Sequence, residues 1–288
     1  KPPSVKQSLI DSKERAFENR FLTTISRDAP VTFTPEENIF GDYNRRSVID
    51  ILTELEFFSV VNRLPDNSVA TEKVDDIPKA PSLPNKQSSD TQYEIIRDEA
   101  HLERMVSEIT AAGSFSFDTE TTSTHPMSAD LVGVSFSISQ GQGWYIPVGH
   151  IDEEQLALEK VLAVIKPLME STALTKSAHN ANFDMLMLSN YGIIPKNVDH
   201  DTMVSAHLLG KTGIGLKNLA LEVLGEEMTP ITSLIGTGKK QITFDKVPID
   251  RGAPYAAADA DMTGRLRSIF EPQIQNQSFS SLFSDVEI

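Results

Sequence analysis

The stretch Phe115-Ser116-Phe117-Asp118-Thr119-Glu120-Thr121 decides how the rest of the chain is read. It predicts a buried strand over Ser114–Thr119 that ends in acids. Residues two apart in a strand point to one side, so Asp118 and Glu120 share a face. Two carboxylates held that close repel unless a proton or a cation lies between them. Hard oxygen ligands of this kind suit Mg²⁺ or Mn²⁺. An acidic turn, with Asp118 capping a neighbour, is the competing reading. Phe115 and Phe117 weigh against it, because carboxylates that end a buried strand are costly without a partner.

Two later segments carry matching groups. In His179-Asn180-Ala181-Asn182-Phe183-Asp184, Asn180 and Asp184 are four apart and share a face of a helix or its first turn. Taken alone, Asn180 reads as a helix cap and Asp184 as a favourable first-turn acid. His179 reads as a structural donor and is left outside the metal site. In Tyr255-Ala256-Ala257-Ala258-Asp259-Ala260-Asp261, Tyr255 and Asp259 share a helical face, and the alanines between them keep that helix slim. Asp261 points elsewhere and reads as a structural acid. One strand and two helices thus supply Asp118, Glu120, Asp184, Asp259 and the phenol of Tyr255. A two-metal phosphodiesterase needs such a set, since cations about 4 Å apart stabilise both the attacking and the leaving oxygen. Tyr255 would position the attacking water or help deprotonate it.

Around these segments the chain alternates between helix and strand signals. Helices are predicted over Asp98–Ala112, Asp152–Leu168, Asn182–Tyr191, Asp201–Leu209, Leu216–Leu224 and Pro254–Phe270, and further strands over Leu131–Ser139, Gly143–Val148 and Ala173–Ser177. Gln140-Gly141-Gln142 is a plausible hairpin turn, so the first three strands pair antiparallel. A three-strand meander followed by β/α units is an α/β arrangement, a mixed sheet flanked by helices. Upstream, a charged helix is expected over Lys6–Leu22 and an amphipathic one over Asn44–Val61, separated by a loop with Asp28-Ala29-Pro30 and Thr34-Pro35-Glu36-Glu37. The run Ile77-Pro78-Lys79-Ala80-Pro81-Ser82-Leu83-Pro84 resists both helix and strand and marks a linker. The expected divisions are therefore 1–65, a small helical segment; 66–92, a linker; 93–275, the main domain; and 276–288, a lead-out.

Composition bounds the function. Of 288 residues, 39% are hydrophobic and 23% charged, ordinary for a soluble globular chain that buries a core. There is no cysteine, which excludes disulfides and thiolate metal sites and fits a reducing cytoplasm. No apolar run approaches the roughly 18 residues of a membrane span. The chain opens on Lys1-Pro2-Pro3 rather than Met and reads as a fragment of something longer. The net charge of −15 argues against tight autonomous binding of duplex DNA. Carboxylates gathered around cations nevertheless attract phosphate.

The order strand-DxE, NxxxD, YxxxD resembles the DEDD exonuclease superfamily in its tyrosine subclass. Asn190-Tyr191-Gly192-Ile193, His200-Asp201-Thr202-Met203, Leu216-Lys217-Asn218-Leu219-Ala220 and the segment Gly236-Thr237-Gly238-Lys239-Lys240-Gln241-Ile242-Thr243-Phe244 are similar to the 3′–5′ exonuclease domain of the DNA polymerase I family. The resemblance implies a ribonuclease H-like fold and hydrolysis of DNA 3′ ends with two divalent cations, Mg²⁺ or Mn²⁺. It implies that Asp118, Glu120 and Asp259 hold one cation, that Asp118 with Asp184 holds the second partly through water, and that Tyr255 orients the water. Thr119, Thr121, Asn180, Phe183 and Phe244 would meet the strand, Phe244 reading equally as a loop anchor. Residues 1–65 resemble the tail of a 5′-nuclease domain, and Ser281–Ile288 the lead-in to a polymerase domain. The implied partners are a single-stranded DNA 3′ end and covalently linked 5′-nuclease and polymerase domains, in a monomer of the bacterial cytoplasm, associated with the nucleoid. The sequence departs from the family at Thr124, where a wedging Leu is usual, near Gly213, where an Arg is usual, and at Ile231, where an aromatic is usual. An RNA-trimming exonuclease of the ribonuclease D type shares the carboxylates, and a non-catalytic spacer shares the fold.

Overall fold

The computed structural model describes residues 7, 10–25, 43–55, 57–61, 63–64, 91–276 and 279–284. The linker expected at 66–92 falls outside them except at 91–92, as do the loop at 26–42 and positions 277–278 and 285–288 of the lead-out. The chain divides into two units, Lys1–Asn44 with Asn67–Val69, and Arg45–Asp66 with Ala70–Ile288. In the first, helix α1 spans Lys13–Thr23, overlapping the helix expected over Lys6–Leu22 and ending one residue beyond it.

The second unit opens with α2 (Arg45–Glu54) and α3 (Phe58–Val61), whose Ile49 and Val61 are buried against Leu221. One continuous helix was expected over Asn44–Val61. It breaks because Phe57 N donates to Leu52 O at 2.7 Å, a wide turn that closes α2.

A six-stranded sheet follows. Its strands are β1 (Gln92–Ile95), β2 (Ser114–Thr121), β3 (Leu131–Ser137), β4 (Gln142–Pro147), β5 (Thr175–Ala178) and β6 (Val198–Asp201), in spatial order β1-β4-β3-β2-β5-β6. β2, β3 and β4 form the expected antiparallel meander, and β5 joins β2 in parallel. β1 and β6 extend the two edges, both in parallel pairs, and neither is foreshadowed by the sequence pattern.

Helix α4 (Glu99–Ala112) starts at Asp98, whose carboxylate accepts from His101 N at 2.9 Å, and stops at Gly113 with φ 75°. With α5 (Leu158–Glu170) it covers one face of the sheet, burying Leu102, Met105, Ile109, Val161 and Ile165 with Phe115, Phe117 and Phe136. The helix expected from Asp152 begins only at Leu158. Gln155 exchanges hydrogen bonds with the His150 backbone at 3.0 and 2.7 Å, and that closed loop competes with a helical turn.

The other helices are α6 (Ala181–Ser189), α7 (Thr202–Leu208), α8 (Leu216–Leu219), α9 (Thr232–Ile235), α10 (Ile249–Asn276) and α11 (Ser280–Leu282). The helix expected over Leu216–Leu224 is α only as far as Leu219 and widens to a π-turn over Ala220–Leu224. α10 starts earlier than the expected Pro254, because Arg251 N and Gly252 N already close on Pro248 O at 2.9 Å. Its alanines lie against the sheet: Ala253, Ala256, Ala257 and Ala260 are all buried. No helix among the described residues is long and apolar enough to cross a membrane.

Candidate active site

β2 carries its acids into the middle of the sheet. Asp118 pairs with Ser135 and Glu120 with Gly133, and a register shift follows at Glu120/Thr121. Gly133 is required here: a Cβ would lie 2.2 Å from Tyr145 Oη. Tyr145 is fully buried, its hydroxyl 2.7 Å from His150 Nε2, whose Nδ1 lies 2.8 Å from Val247 O. Deleting the side chain at position 133 therefore makes room for a polar ring close beneath the acids.

α10 crosses this strand and brings Asp259 to the pair. Carboxylate oxygens of Asp118, Glu120 and Asp259 all lie within 4.8 Å of one another. Glu120 and Asp259 are 8% exposed. Burial raises Asp118 well above the usual carboxylate range, with Asp184, Glu120 and Asp259 adding to it. Burial and the Asp259 charge do the same to Glu120. Burial pushes Asp259 up to about 6, against the pull of Lys217. Glu120 Oε1 and Asp259 Oδ1 are buried and accept no hydrogen bond. Orphaned, mutually repelling hard oxygens fit a divalent cation, which would supply what each lacks.

Asp184 stands apart from that trio. It is 2% exposed and accepts from Thr119 N at 2.9 Å and Thr119 Oγ1 at 2.5 Å. Burial lifts it to about 7 even though both Thr119 bonds oppose the shift. Its charge acts on Asp118 and on Glu120, but Asp184 is not one of the three acids that lie within 4.8 Å of one another.

Tyr255, one helical turn before Asp259, packs on Phe244 with ring centroids 6.0 Å apart. Burial, then Asp259, Glu120 and Asp118, drive its phenol far above the usual range, so it stays protonated. Lys217 Nζ donates to Tyr255 Oη at 3.1 Å and stands 3.6 Å from Asp259 Oδ1. Lys217 belongs to the segment Leu216-Lys217-Asn218-Leu219-Ala220 and is not among the site residues expected from the sequence. Its position between two buried apolar residues, Leu216 and Leu219, is the one signal that it is held in place.

Asn180 occupies the position before α6 but does not cap it. Its backbone is left-handed (φ 66°), and its side chain makes no cap bond. Asp201 does that work instead. Its carboxylate accepts from Asn180 N at 3.1 Å and Ala181 N at 2.8 Å, and from Met203 N at 2.8 Å and Val204 N at 3.3 Å. One buried acid thus ties the starts of α6 and α7 together. His179 Nδ1 lies 2.8 Å from Thr202 Oγ1, and burial lowers it to about 4, a neutral structural imidazole. Asp261 bonds Tyr93 Oη at 2.8 Å and Gly141 N at 3.1 Å, the structural role expected of it.

A groove of about 560 Å³ opens from Glu120. Thr121, Ser123, Phe183, Ile231, Ile242 and Phe244 are among its walls, and Thr124 is part of the same rim. Of the residues expected to meet a strand, Thr121, Phe183 and Phe244 line this groove. Thr119 commits its hydroxyl to Asp184. Phe244 is 4% exposed and also stacks at 5.9 Å on His150, so it anchors its segment as well as walling the groove.

The main domain is similar to known nucleases over most of its length. A family described as 3′-5′ exonuclease, of the DNA polymerase A type, matches residues 93–275. DNA polymerase I of Chloroflexus aurantiacus is 37% identical over 311 residues, spanning all of this chain and 33% of that protein. DNA polymerase I of Pseudomonas aeruginosa is 30% identical over 97% of this chain and 31% of its own length. The chain thus spans about a third of the curated relatives it matches. Escherichia coli RNase D shares the fold at 17% identity with a TM-score of 0.53, over 67% of this chain and 48% of that one. The DNA-bound polymerase of Mycobacterium smegmatis does so at 18% identity and 0.51, over 66% and 29%. The sheet and its flanking helices are therefore ribonuclease H-like, and the family is divalent-metal dependent. The acid trio, the tyrosine and the match over residues 93–275 agree on one assignment: the chain belongs to the 3′–5′ exonuclease family of DNA polymerase A type.

Proposed function

We propose that this chain removes nucleotides from single-stranded or frayed DNA 3′ ends, as the proofreading part of a longer polymerase. The observation that carries this reading is the pair of orphaned buried oxygens, Glu120 Oε1 and Asp259 Oδ1, the first of them on a residue that lines the 560 Å³ groove. A structural domain has no use for acids gathered in this way, with Glu120, Asp184 and Asp259 buried and Asp118 and Glu120 raised in proton affinity by acidic neighbours. Asp118, Glu120 and Asp259 would hold one Mg²⁺ or Mn²⁺, and Asp118 with Asp184 a second. Those cations, when bound, acidify water and offset the charge that develops on the leaving 3′ oxygen.

The chain's own residues then divide the remaining work. Thr119 holds Asp184 in its rotamer through two hydrogen bonds. Tyr255, kept neutral by its surroundings, orients the reactants and is no base. Phe183 and the apolar groove wall receive an unstacked base, a contact that only a single strand offers at low cost. Water's oxygen bonds to phosphorus as the bond from phosphorus to O3′ breaks, a proton from water ends on O3′, and a nucleoside 5′-monophosphate leaves. Residues 1–65 and 276–288 are read as the edges of flanking 5′-nuclease and polymerase domains, joined through a linker at 66–92.

The test is 3′ shortening of a 5′-labelled single-stranded DNA, with Mg²⁺ or Mn²⁺, beside a matched RNA. The variant Asp118→Ala/Glu120→Ala serves as control. A ladder from DNA that disappears in the variant and in chelator is expected. Cleavage of RNA alone would overturn the DNA assignment, and absence of divalent-ion binding would return the domain to a spacer.

A further inference from the structure

One cation is already built into the acid cluster. Lys217 stands on α8, whose Leu216 and Leu219 are buried with Met262, Leu266 and Phe270 of α10. That apolar footing fixes the short helix to the helix that bears Tyr255 and Asp259. The Lys217 ammonium lies 4.3 Å from the centroid of the Tyr255 ring and donates to its Oη at 3.1 Å. Its distance to Asp259 Oδ1 is 3.6 Å, beyond a hydrogen bond. The phenol is therefore its hydrogen-bonded partner, and Asp259 its ion-pair partner. The side chain is 31% exposed, so it reaches the site from the solvent side and is not locked in the core.

This geometry decides which way the tyrosine works. An ammonium has three donors and no acceptor. The Tyr255 O–H cannot point at Lys217, while one Oη lone pair is taken by it. The phenol's proton is therefore directed away from the lysine.

We propose that Lys217 is a positioning residue of the hydrolysis: bonded to Tyr255 Oη and seated on its ring, it fixes the phenol as a hydrogen-bond donor toward the reacting phosphodiester. The inference rests on the phosphodiesterase reading above. The plainer role, a counter-ion for Asp259, predicts an effect independent of Tyr255, and the two are separable.

The experiment uses the full chain and the variants Lys217→Met, Lys217→Arg, Tyr255→Phe and Lys217→Met/Tyr255→Phe. In metal-free protein with ¹³Cζ-labelled tyrosine, the Tyr255 resonance is assigned by its loss in Tyr255→Phe. Lys217→Met should shift that resonance, and Lys217→Arg should return it toward the wild-type position. An unmoved resonance would overturn the contact. On saturating single-stranded DNA with Mg²⁺, Lys217→Met should lower kcat roughly tenfold and leave KM nearly unchanged. In the Tyr255→Phe background the same change should cost less than about twofold. Equal losses in both backgrounds would overturn the proposal and leave Lys217 a counter-ion. A wild type inactive on DNA with either metal would sink the phosphodiesterase reading and this role with it. The resonance would then still tell whether the lysine touches the tyrosine.

Discussion

Replacing Glu120 by Gln should abolish hydrolysis and make the metal-free protein more stable. The carboxylate oxygens of Asp118, Glu120 and Asp259 lie within 4.8 Å of one another. Two unit charges at that distance repel by about 3.5 kcal/mol at an effective dielectric constant near 20. Glu120 faces two such neighbours, but the site sheds part of the cost by retaining protons, as its raised proton affinity and the value of about 6 at Asp259 imply. The relief from Glu120→Gln at pH 8 is therefore about 1–3 kcal/mol, and the new amide donates to the acids beside it. For a unit of this size that is roughly 2–10 °C in Tm. The sign with pH follows from linkage. These acids are raised in the folded state, so the native chain holds protons that the unfolded chain has released. Their contribution is fully present below about pH 4 and is lost as pH climbs through about 6 at Asp259 and about 7 at Asp184. The advantage of Glu120→Gln should thus grow from pH 5 to pH 8 in chelator. A divalent cation at 100 times its Kd adds about 2.7 kcal/mol to the wild type, which the variant loses in large part, so metal should reverse the order. Scanning calorimetry of both proteins in chelator and in Mn²⁺ decides it. A variant no more stable than wild type at pH 8 in chelator, or an advantage that does not grow with pH, would refute the crowding of these acids.

Three further outcomes are expected. Asp201→Ala should cost about 2–4 kcal/mol in calorimetry, because four backbone donors at the starts of α6 and α7 lose one buried acceptor; a loss below that of an ordinary surface change would count against its double cap. Thr119→Val keeps the shape but removes the 2.5 Å bond to Asp184, so it should cost about 1–2 kcal/mol and move the acidic limb of the kcat profile to higher pH. An unshifted limb would mean that Asp184 does not titrate in the working enzyme. Phe183→Ala should raise KM for single-stranded DNA about tenfold, the value of one lost base stack, with a smaller change in kcat; unchanged KM would remove Phe183 from the strand path.

The meander and the acids were legible because they rest on short-range rules. Alternation through Phe115 and Phe117 sets β2, and the spacings within Asn180–Asp184 and Tyr255–Asp259 set helical faces. What was hidden depends on tertiary partners. The four residues of β1 become a strand only because β4 offers a free edge, and β6 likewise depends on β5. The cap at α6 looked like Asn180 by position, whereas the working acceptor is Asp201, twenty-one residues away. The sequence did carry a trace of it, an Asp directly before the helix of Thr202 and Met203. Lys217 was harder still. Its partner Tyr255 is 38 residues distant, and no periodicity links a four-residue helix to a phenol on α10.

The net charge of −15 loses its force as an objection once the acids are located. At physiological salt the screening length is about 8 Å, so exposed acids on other faces add little to the field at the groove. The acids that do face it are the ones whose repulsion a cation would cancel. Beside the groove stand Lys239, Lys240 and Lys246, all exposed, on two short 3₁₀ turns that flank the wall residues Gln241, Ile242 and Thr243. These lysines and Lys217 add positive charge on the groove side, which the average over the molecule does not express. Under the proposed function the same carboxylates would destabilise the metal-free protein and, with cations between them, turn toward phosphate. Stability and hydrolysis draw on one cluster in opposite directions.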